Sequence, residues 1–475
     1  MRYSILILIS LLFAFKGEAQ NNTNKDEAGF NLNVNIPSQK NNMLYLGYYW
    51  KGTTYARDSV QLSTEGKASL SFSEEPAAGQ YFIFIKPDFR IDLLIDKGEN
   101  DIQLFINEKD FTKSTVTGSN NTKLLWTYLN NIQKRDIERS KLEKQLEDSS
   151  ITTQKRKNLG VEIQKLDENT QAYIQKTIKD NKDNWFGVFL KGMESVTLPY
   201  KQLKDGKEFQ ENREYGKLHF FDNIDLTDPR LWSTNYMNSY IDTYIQHWVD
   251  QVPDSLANAA SELVAKTKGN EFCFKEMLSK LTNESLKSLR MGDENIWARL
   301  AEDYIFDKDV VWIDSAQNSE LRKQYELIKN NRVGMKAHNL ILQTLEGDII
   351  NTNDIDAEYL LLYFYNPGCG HCQTATPELH DKLYAKYKDK GLKVVTINLN
   401  NDQEEWEKFV KSKNISDWIN CADPEYKSQY WMYYDTSGVP AVFVLNKNKT
   451  IIAKKVDEQN LEKLFDYYIN NNGIN

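Results

Sequence analysis

The chain has 475 residues, of which 40% are hydrophobic and 27% are charged. This is the composition of an ordinary globular protein, and the length allows about three domains. A net charge of −9 argues against binding to nucleic acid or to an anionic membrane surface. Four cysteines are too few for a disulfide scaffold in a chain of this length.

The first residues have the pattern of a secretory signal. Arg2 precedes an apolar run over residues 5–15, which is too short to cross a bilayer, and small residues follow at Gly17 and Ala19. We expect cleavage after Ala19, so that residues 1–19 are a signal peptide and the mature protein is exported to the periplasm or cell envelope. An uncleaved anchor is the alternative, although no stop-transfer pattern follows. We expect no other membrane span and no lipid attachment, because no cysteine follows the run.

Residues 28–118 predict a small antiparallel β-sandwich. Apolar and polar residues alternate over 30–36 and again over 67–72, with a turn before the second run. The region contains no cysteine or histidine. We therefore expect it to dock a partner, bind a ligand or act as a spacer, and not to catalyse. Further strands are predicted over 81–85, 91–95 and 102–106.

Residues 119–332 predict an all-α region. The charged stretch over 134–179 carries a narrow apolar stripe, which is typical of a long helical hairpin, and the stripe breaks near 148–150. Later helices are predicted to begin near Pro253 and Asp293. This region is expected to provide shape without visible chemistry.

Residues 333–475 alternate between strand and helix patterns, which predicts a layered α/β domain. The stretch between 413 and 441 is expected to be irregular. The predicted strands are 359–365, 392–399, 441–445 and 451–455, and the predicted helices are 372–388, 402–413 and 458–470.

A pair of cysteines stands at a predicted strand-to-helix junction in this last region, in the order Cys369-Gly370-His371-Cys372. The partial positive charge at a helix N-terminus favours thiolate over thiol, so Cys369 is predicted to be a nucleophile near neutral pH. Two intervening residues allow Cys372 to reach back and close a disulfide or release a bound partner. The spacing therefore predicts a redox-active dithiol.

Three other interpretations of the pair were weighed. Covalent haem attachment requires a histidine directly after the second cysteine, where this chain has Gln373. Structural zinc requires four ligands, but Cys273 and Cys421 are single and distant in sequence. An inert structural disulfide remains an alternative interpretation. We expect no metal and no cofactor, and we expect Cys273 and Cys421 to take no part in the chemistry.

The last 140 residues or so resemble the thioredoxin-like superfamily, and most closely its TlpA/ResA branch. The resemblance depends on the cysteine pair, on Pro377 inside the following helix, and on Val439-Pro440 just before a strand. The segment between Leu399 and Val439 is similar to the insertion found in that branch. The three-part layout also resembles a group of Bacteroides-type envelope proteins, in which a β domain and a helical domain precede a thioredoxin domain.

The resemblance implies roles for individual residues. Cys369 attacks and Cys372 resolves, while Pro440 follows a cis peptide bond and shapes the substrate groove. The dipeptide Gly370-His371 is the one found in protein disulfide isomerases, where the imidazolium stabilises the thiolate of the first cysteine.

The chain departs from the family pattern where Asn366 replaces the usual tryptophan before the motif, and at two positions that concern proton transfer. Thioredoxin has a buried aspartate, a proton acceptor for the second cysteine, where this chain has Tyr363. Some TlpA relatives have a glutamate where this chain has Ala375. Proton transfer to and from Cys372 is therefore expected to lack an obvious carboxylate.

Two functions follow as hypotheses. The first is an exported thiol–disulfide oxidoreductase that acts on cysteines of envelope proteins and is recharged by an unknown redox partner, in a direction that the sequence leaves open. The second is an envelope binding or assembly protein in which the dithiol is a minor redox switch. A peroxidase is disfavoured, because residues 366–368 supply no threonine before the first cysteine.

Overall fold

The computed structural model describes residues 29–470, except for 201, 307, 309, 401 and 457. The predicted signal peptide, residues 1–19, lies outside this range. The described residues divide into two compact units, one up to residue 193 together with Trp232–Asn235, the other of 194–231 together with 236 onward. Within the described range, none of the helices combines the length and the apolar character that crossing a membrane requires. The domain boundaries at 118/119 and 332/333 stay predictions.

The first unit contains the predicted β-sandwich, built from two four-stranded sheets with the strand orders β4-β1-β7-β8 and β3-β2-β5-β6. Apolar residues of β1 alternate inward, which buries one face of the strand. The pairing is antiparallel except between β1 and β7, which run parallel. The strands are β1 Phe30–Asn35, β2 Met43–Trp50, β3 Thr53–Gln61, β4 Lys67–Phe72, β5 Gly79–Ile85, β6 Phe89–Ile95, β7 Asp101–Phe105 and β8 Thr115–Thr117.

The hairpin of β2 and β3 was not predicted. β3 is largely exposed and mostly polar, so it has no apolar alternation, and β2 is a nearly continuous apolar and aromatic run. The two strands are recognised from their antiparallel hydrogen-bonded pairing and not from the sequence pattern of either strand.

The charged stretch folds as the predicted helical hairpin, with α1 over Asn120–Glu147 and α2 over Thr153–Asp180. Hydroxyl side chains cap both helices: Ser119 accepts a hydrogen bond from the backbone N–H of Thr122, and Thr152 accepts one from Lys155. A short helix, α3 (Trp185–Gly192), completes the described helices of this unit.

Two helices of the second unit begin at the residues that the sequence predicted. Pro253 occupies the first turn of α6, and Asp293 directly precedes α8. Cys273, in α7, is completely buried and packs as a small apolar residue. These helices are α4 Gly206–His219, α5 Met237–Thr243, α6 Pro253–Lys266, α7 Glu271–Lys287, α8 Glu294–Leu300 and α9 Ser315–Ile328.

A seven-stranded sheet with the order β10-β9-β13-β12-β11-β14-β15 forms the centre of the C-terminal region. β11 lies inside the sheet, between parallel β12 and antiparallel β14, and is buried along its whole length. The strands are β9 Ile341–Thr344, β10 Ile349–Asn351, β11 Tyr359–Tyr365, β12 Leu392–Asn398, β13 Ile419–Ala422, β14 Ala441–Asn446 and β15 Ile451–Lys454. The helices are α10 Gly370–Glu378, α11 Ala385–Tyr387, α12 Gln403–Ser412 and α13 Glu458–Asn470.

Two features of this region differ from the predicted pattern. The stretch expected to be irregular contains β13, which pairs with β12 and places Cys421 inside the sheet. A strand of four residues is too short to show a period. The single helix expected over 372–388 is interrupted by a π-helical segment, Leu379–Tyr384, shortly after Pro377, which cannot donate a backbone hydrogen bond.

A buried ion pair connects the edge strand β15 to the helices of the second unit. The ammonium group of Lys454 lies 3.2 Å from a carboxylate oxygen of Glu294 and donates a hydrogen bond of 3.0 Å to the side chain of Asn331. Burial lowers the pKa of Lys454, and the Glu294 carboxylate opposes that shift. The Glu294 carboxylate therefore neutralises the buried positive charge of Lys454.

Replacing Glu294 with alanine is expected to destabilise the protein by about 3 kcal/mol, because it leaves the Lys454 ammonium buried without its nearest countercharge. Urea unfolding monitored by circular dichroism measures the change. Glu358→Ala is the matched control, since it removes the partner of Lys447 in an exposed pair and should leave the unfolding curve unchanged. Equal effects of the two variants would contradict this interpretation.

Candidate active site

The cysteine motif lies directly after β11, where the chain turns from the sheet into α10. The side chain of Asn366 accepts a hydrogen bond of 2.9 Å from the backbone of Gly368, and its carbonyl accepts one of 3.0 Å from the backbone of Cys369. Cys369 is the residue that precedes the first turn of α10, and its carbonyl accepts the first helical hydrogen bond, from Gln373. The first thiol thus stands at the helix N-terminus, as the sequence predicted.

The two thiols of the motif have different surroundings. Cys369 is partly exposed, whereas Cys372 is completely buried in the apolar layer beneath α10. The thiol of Cys369 also reaches the loop before β14, where it donates a hydrogen bond of 3.5 Å to the carbonyl of Val439. One sulfur is therefore accessible to a second molecule and the other is not.

The environment also separates the two pKa values. Partial burial tends to raise the pKa of Cys369, but hydrogen bonds from the backbone and thiol of Cys372 and from the backbone of His371 outweigh it, so the pKa is lowered. Burial raises the pKa of Cys372 to about 12, and the neighbouring Cys369 thiol adds to this effect. Cys369 is therefore the thiol that ionises first.

Gly370 and His371, between the two cysteines, make fewer contacts with the thiols. The side chain of His371 is exposed, and the residue reaches the Cys369 sulfur through its backbone N–H. A side chain at Gly370 would meet no described atom within 4 Å, so glycine is not required there for space. That the imidazole of His371 tunes Cys369 stays a prediction.

A groove with a volume of about 690 Å³ begins beside the motif. The Val439–Pro440 peptide bond at its edge is cis, as the resemblance implied. Residues of α10 form one wall and the end of β15 forms the other, where Lys455 is paired with the buried carboxylate of Asp435. The groove is lined by Tyr363, His371, Thr374, Ala375, Glu378, Leu379, Val442, Val456 and residues 437–441, together with Lys455.

The two positions that concern proton transfer carry a hydroxyl group or no polar group. The hydroxyl of Tyr363 lies 2.9 Å from that of Thr376, which donates a hydrogen bond of 2.8 Å to the carbonyl of Cys372. Ala375 supplies no polar side chain. Neither Tyr363 nor Ala375 therefore offers Cys372 a carboxylate as a proton acceptor.

Sequence reasoning missed two groups that approach the motif. A carboxylate oxygen of Glu405, in α12, lies 3.6 Å from where a side chain at Gly368 would begin. Tyr365 is completely buried in the same apolar layer as Cys372. The position of Tyr365 directly before residues 366–369 could have pointed to it. No sequence pattern indicates that Glu405, on α12, lies near Gly368. Among the described residues, no cluster of three or more His, Cys, Asp or Glu could hold a metal ion.

Alkylation of Cys369 is expected to become half-maximal below pH 8.5, the ordinary pKa of a free cysteine, because the thiolate is the reactive form and its pKa is lowered. Its rate should rise with pH and level off earlier than that of a model thiol. Iodoacetamide labelling followed by peptide mass spectrometry measures this for each cysteine. Cys372, with its raised pKa, should stay unlabelled over the same range. A half-maximal rate for Cys369 at or above pH 8.5 would contradict the helix N-terminus argument.

Comparison with known proteins gives a consistent result. Residues 356–451 match a family model described as thioredoxin-like. A thiol-disulfide oxidoreductase ResA of Bacillus cereus is 24% identical over 136 residues, which are 29% of this chain and 76% of that protein. Among solved structures, a domain of a possible thiol-disulfide isomerase from Cytophaga hutchinsonii is 38% identical, with a TM-score of 0.28, and covers 29% of this chain and 92% of that one.

A second solved structure, a thioredoxin-like protein from Bacteroides caccae, is 21% identical, with a TM-score of 0.40, and covers 58% of this chain and 99% of that one. Both TM-scores are below 0.5, so the family assignment depends on the matched residues and the sequence relatives. Together these identify the last third of the chain as a thioredoxin-like domain that is similar to thiol-disulfide oxidoreductases of the ResA kind.

Proposed function

We propose that this protein is an exported enzyme that exchanges disulfides with cysteines of envelope proteins through Cys369 and Cys372. The observation that carries the proposal is the unequal pair at the start of α10: one accessible thiol with a lowered pKa and one buried thiol with a raised pKa. An inert disulfide would need neither difference. The signal-like pattern of residues 1–19 supports export.

The chemistry proceeds in two exchanges when the dithiol acts as a reductant. The Cys369 thiolate attacks a substrate disulfide, forms a mixed disulfide and releases one substrate sulfur as the leaving group. Cys372 then attacks the Cys369 sulfur, which forms the Cys369–Cys372 disulfide and releases the second substrate sulfur. The substrate gains two electrons and two protons, and the dithiol loses them. The same steps in reverse oxidise a substrate dithiol.

The groove beside the motif is the expected binding site for the substrate chain. The Val439 carbonyl, already within 3.5 Å of the Cys369 sulfur, would face a substrate residue next to the attacked cysteine. Pro440 shapes this edge of the groove, and Glu378 and Lys455 place charges of opposite sign along it. We assign Cys369, Cys372 and Pro440 to the reaction, with His371 and Gly370 as the dipeptide between the thiols.

Turnover of a model disulfide tests the proposal. Purified mature protein is mixed with insulin and dithiothreitol, and precipitation of the reduced chains is followed over time, while oxidation of a dithiol peptide by glutathione disulfide is measured in parallel. Acceleration of either reaction, lost on alkylation of Cys369, supports the enzyme. If neither rate exceeds that of the alkylated protein, the binding or assembly function, with the dithiol as a minor switch, replaces it.

A further inference from the structure

The loop of residues 435–440, which leads into β14, forms one edge of the groove beside the motif. Its residues belong to neither a helix nor a strand. The loop nevertheless carries the Val439 carbonyl, which accepts a hydrogen bond of 3.5 Å from the Cys369 thiol. A loop outside regular secondary structure lacks the repeated backbone hydrogen bonds of a helix or sheet. It therefore needs another source of order if it is to hold one carbonyl at a reactive sulfur.

The carboxylate of Asp435, the first residue of the loop, supplies that order. One of its oxygens accepts two hydrogen bonds from Ser437, one of 3.1 Å from the backbone N–H and one of 2.6 Å from the hydroxyl. In such a turn an aspartate side chain takes the place of a backbone carbonyl and fixes the chain two residues further on. The other oxygen accepts a hydrogen bond from the ammonium group of Lys455, directly after β15. One carboxylate thus connects the loop to the opposite wall of the groove.

The Asp435 side chain is held in this position as an anion. Only 2% of it is exposed, and burial by itself would raise the pKa of the carboxyl group. The hydrogen bonds from Lys455 and Ser437 outweigh that effect, so the pKa is lowered and the group is ionised near neutral pH. A buried ion pair is a weak source of net stability, because the cost of removing the charges from water offsets their attraction. It can instead specify one arrangement of the chain, which here is the arrangement of the loop.

The Val439 carbonyl lies between two fixed points of the chain. At one of them Ser437 is held by the carboxylate, and at the other Ala441 begins β14 and pairs with β11. Because β11 continues into the cysteine motif, the same strand pair also positions the reactive sulfur. Only residues 438–440 lie between the two points. Loss of the carboxylate would extend the free segment to residues 435–440, and the carbonyl would no longer be confined to the sulfur.

We propose that Asp435 is a positioning residue of the exchange reaction, which holds the loop so that the Val439 carbonyl and the groove edge meet a substrate chain in one geometry at Cys369. The proposal rests on the proposed function, in which a polypeptide binds in this groove. Asp435 acts through Ser437 and the loop, and not on the sulfurs themselves. Reactants that are held in the right orientation react faster, and a small misplacement lowers the rate strongly.

This role distinguishes two kinds of disulfide substrate. A disulfide-linked peptide has to lie along the loop before Cys369 can attack it, so its rate depends on where the loop is held. Hydroxyethyl disulfide has no peptide backbone and no charge, and it requires only the accessible thiolate. A residue that merely stabilised the fold would not separate the two reactions.

Asp435→Ala tests the proposal in the purified, reduced mature protein. Formation of the mixed disulfide is measured by acid quenching and mass spectrometry, over a range of concentrations of the peptide disulfide and of hydroxyethyl disulfide. We expect the variant to react with the peptide about tenfold or more slowly than wild type, and to need a higher peptide concentration for half of its maximal rate. Its rate with hydroxyethyl disulfide should stay within about twofold of wild type.

A second variant and a matched control complete the experiment. Asp435→Asn keeps the shape of the side chain but weakens both hydrogen-bonded connections, so it should show the same selective loss at about threefold or more, also where the alanine variant fails to fold. Asp423 is another buried aspartate of the connection between β13 and β14, and is not one of the described residues that line the groove. Its carboxylate accepts hydrogen bonds of 2.8 and 3.0 Å from the backbone of Lys427 and Ser428. Asp423→Ala should lower the urea midpoint and leave the ratio of the two rates unchanged.

The outcomes separate the proposal from the function on which it rests. Equal slowing with both disulfides in a folded Asp435 variant, or a peptide rate within twofold of wild type, would overturn the positioning role. A selective loss of the peptide reaction in Asp423→Ala would overturn it as well. If wild type reacts with neither disulfide faster than a Cys369→Ala variant does, the proposed function itself is rejected.

Discussion

Replacing Cys369 with serine is expected to lower the rate of disulfide exchange by at least about a thousandfold, equivalent to about 4 kcal/mol in the barrier. The hydrogen bonds at the start of α10 stabilise a sulfur anion, and a serine hydroxyl does not ionise near neutral pH. The buried Cys372 cannot take over, because a substrate disulfide cannot reach it. Insulin reduction at fixed dithiothreitol measures the loss.

Cys421→Ser and Cys273→Ser are the matched controls for this variant. Both cysteines are completely buried, and burial raises the pKa of Cys421 to about 12, so neither thiol is accessible to a substrate. Each variant should keep turnover within about tenfold of wild type, or roughly 1.4 kcal/mol, after circular dichroism has established that it is folded. A larger loss in a folded variant would indicate that a third thiol takes part.

Cys372→Ala is expected to stop multiple turnover while leaving the first attack intact. Cys369 can still form the mixed disulfide, but no neighbouring thiol can break it, so the substrate stays attached until an external thiol releases it. Without added thiol, reduced wild type releases both sulfurs of one substrate disulfide per protein and is itself oxidised, whereas Cys372→Ala should release one sulfur in a burst and the second about a thousandfold more slowly or not at all. Stopped-flow measurement of substrate release separates the burst from the slow second release.

The double variant Cys369→Ser/Cys372→Ala is the control for the burst. It keeps the groove, the cis Val439–Pro440 bond and the charges of Glu378 and Lys455, and lacks both sulfurs. It should show no burst. Release of the second substrate sulfur by Cys372→Ala at the wild-type rate would mean that resolution does not require Cys372.

The local patterns of the C-terminal region were sufficient to predict its architecture. β11 was predicted with its observed bounds, because an unbroken apolar run followed by a cysteine motif and a helix pattern has few alternatives. β13 was missed because four residues cannot show a period, and it forms by pairing between β12 and β9. The position of Cys421 therefore came from tertiary pairing and not from its neighbours in sequence.

The candidate site was predicted only in part, because local sequence patterns reveal adjacent residues but not tertiary neighbours. The cysteine pair and Pro440 are recognisable from adjacent residues, and the structure brings the Cys369 sulfur and the Val439 carbonyl together. The unequal burial of the two thiols follows from helix geometry, which turns Cys372 toward the sheet and leaves Cys369 at the surface. The neighbours of the buried hydroxyl of Tyr365, which are Thr396 and Trp406, come from another strand and another helix, so no spacing rule reveals them.

Mapping the covalent adduct of Cys372→Ala tests the central claim most directly. The variant is expressed with its N-terminal region in the native envelope, purified after acid quenching, and digested without reduction, so that any peptide joined to a cysteine can be identified. The division of labour between the two thiols predicts envelope proteins attached through a disulfide to Cys369, and none in a Cys369→Ala control. Adducts on Cys273 or Cys421, or no adduct above the control, would contradict it.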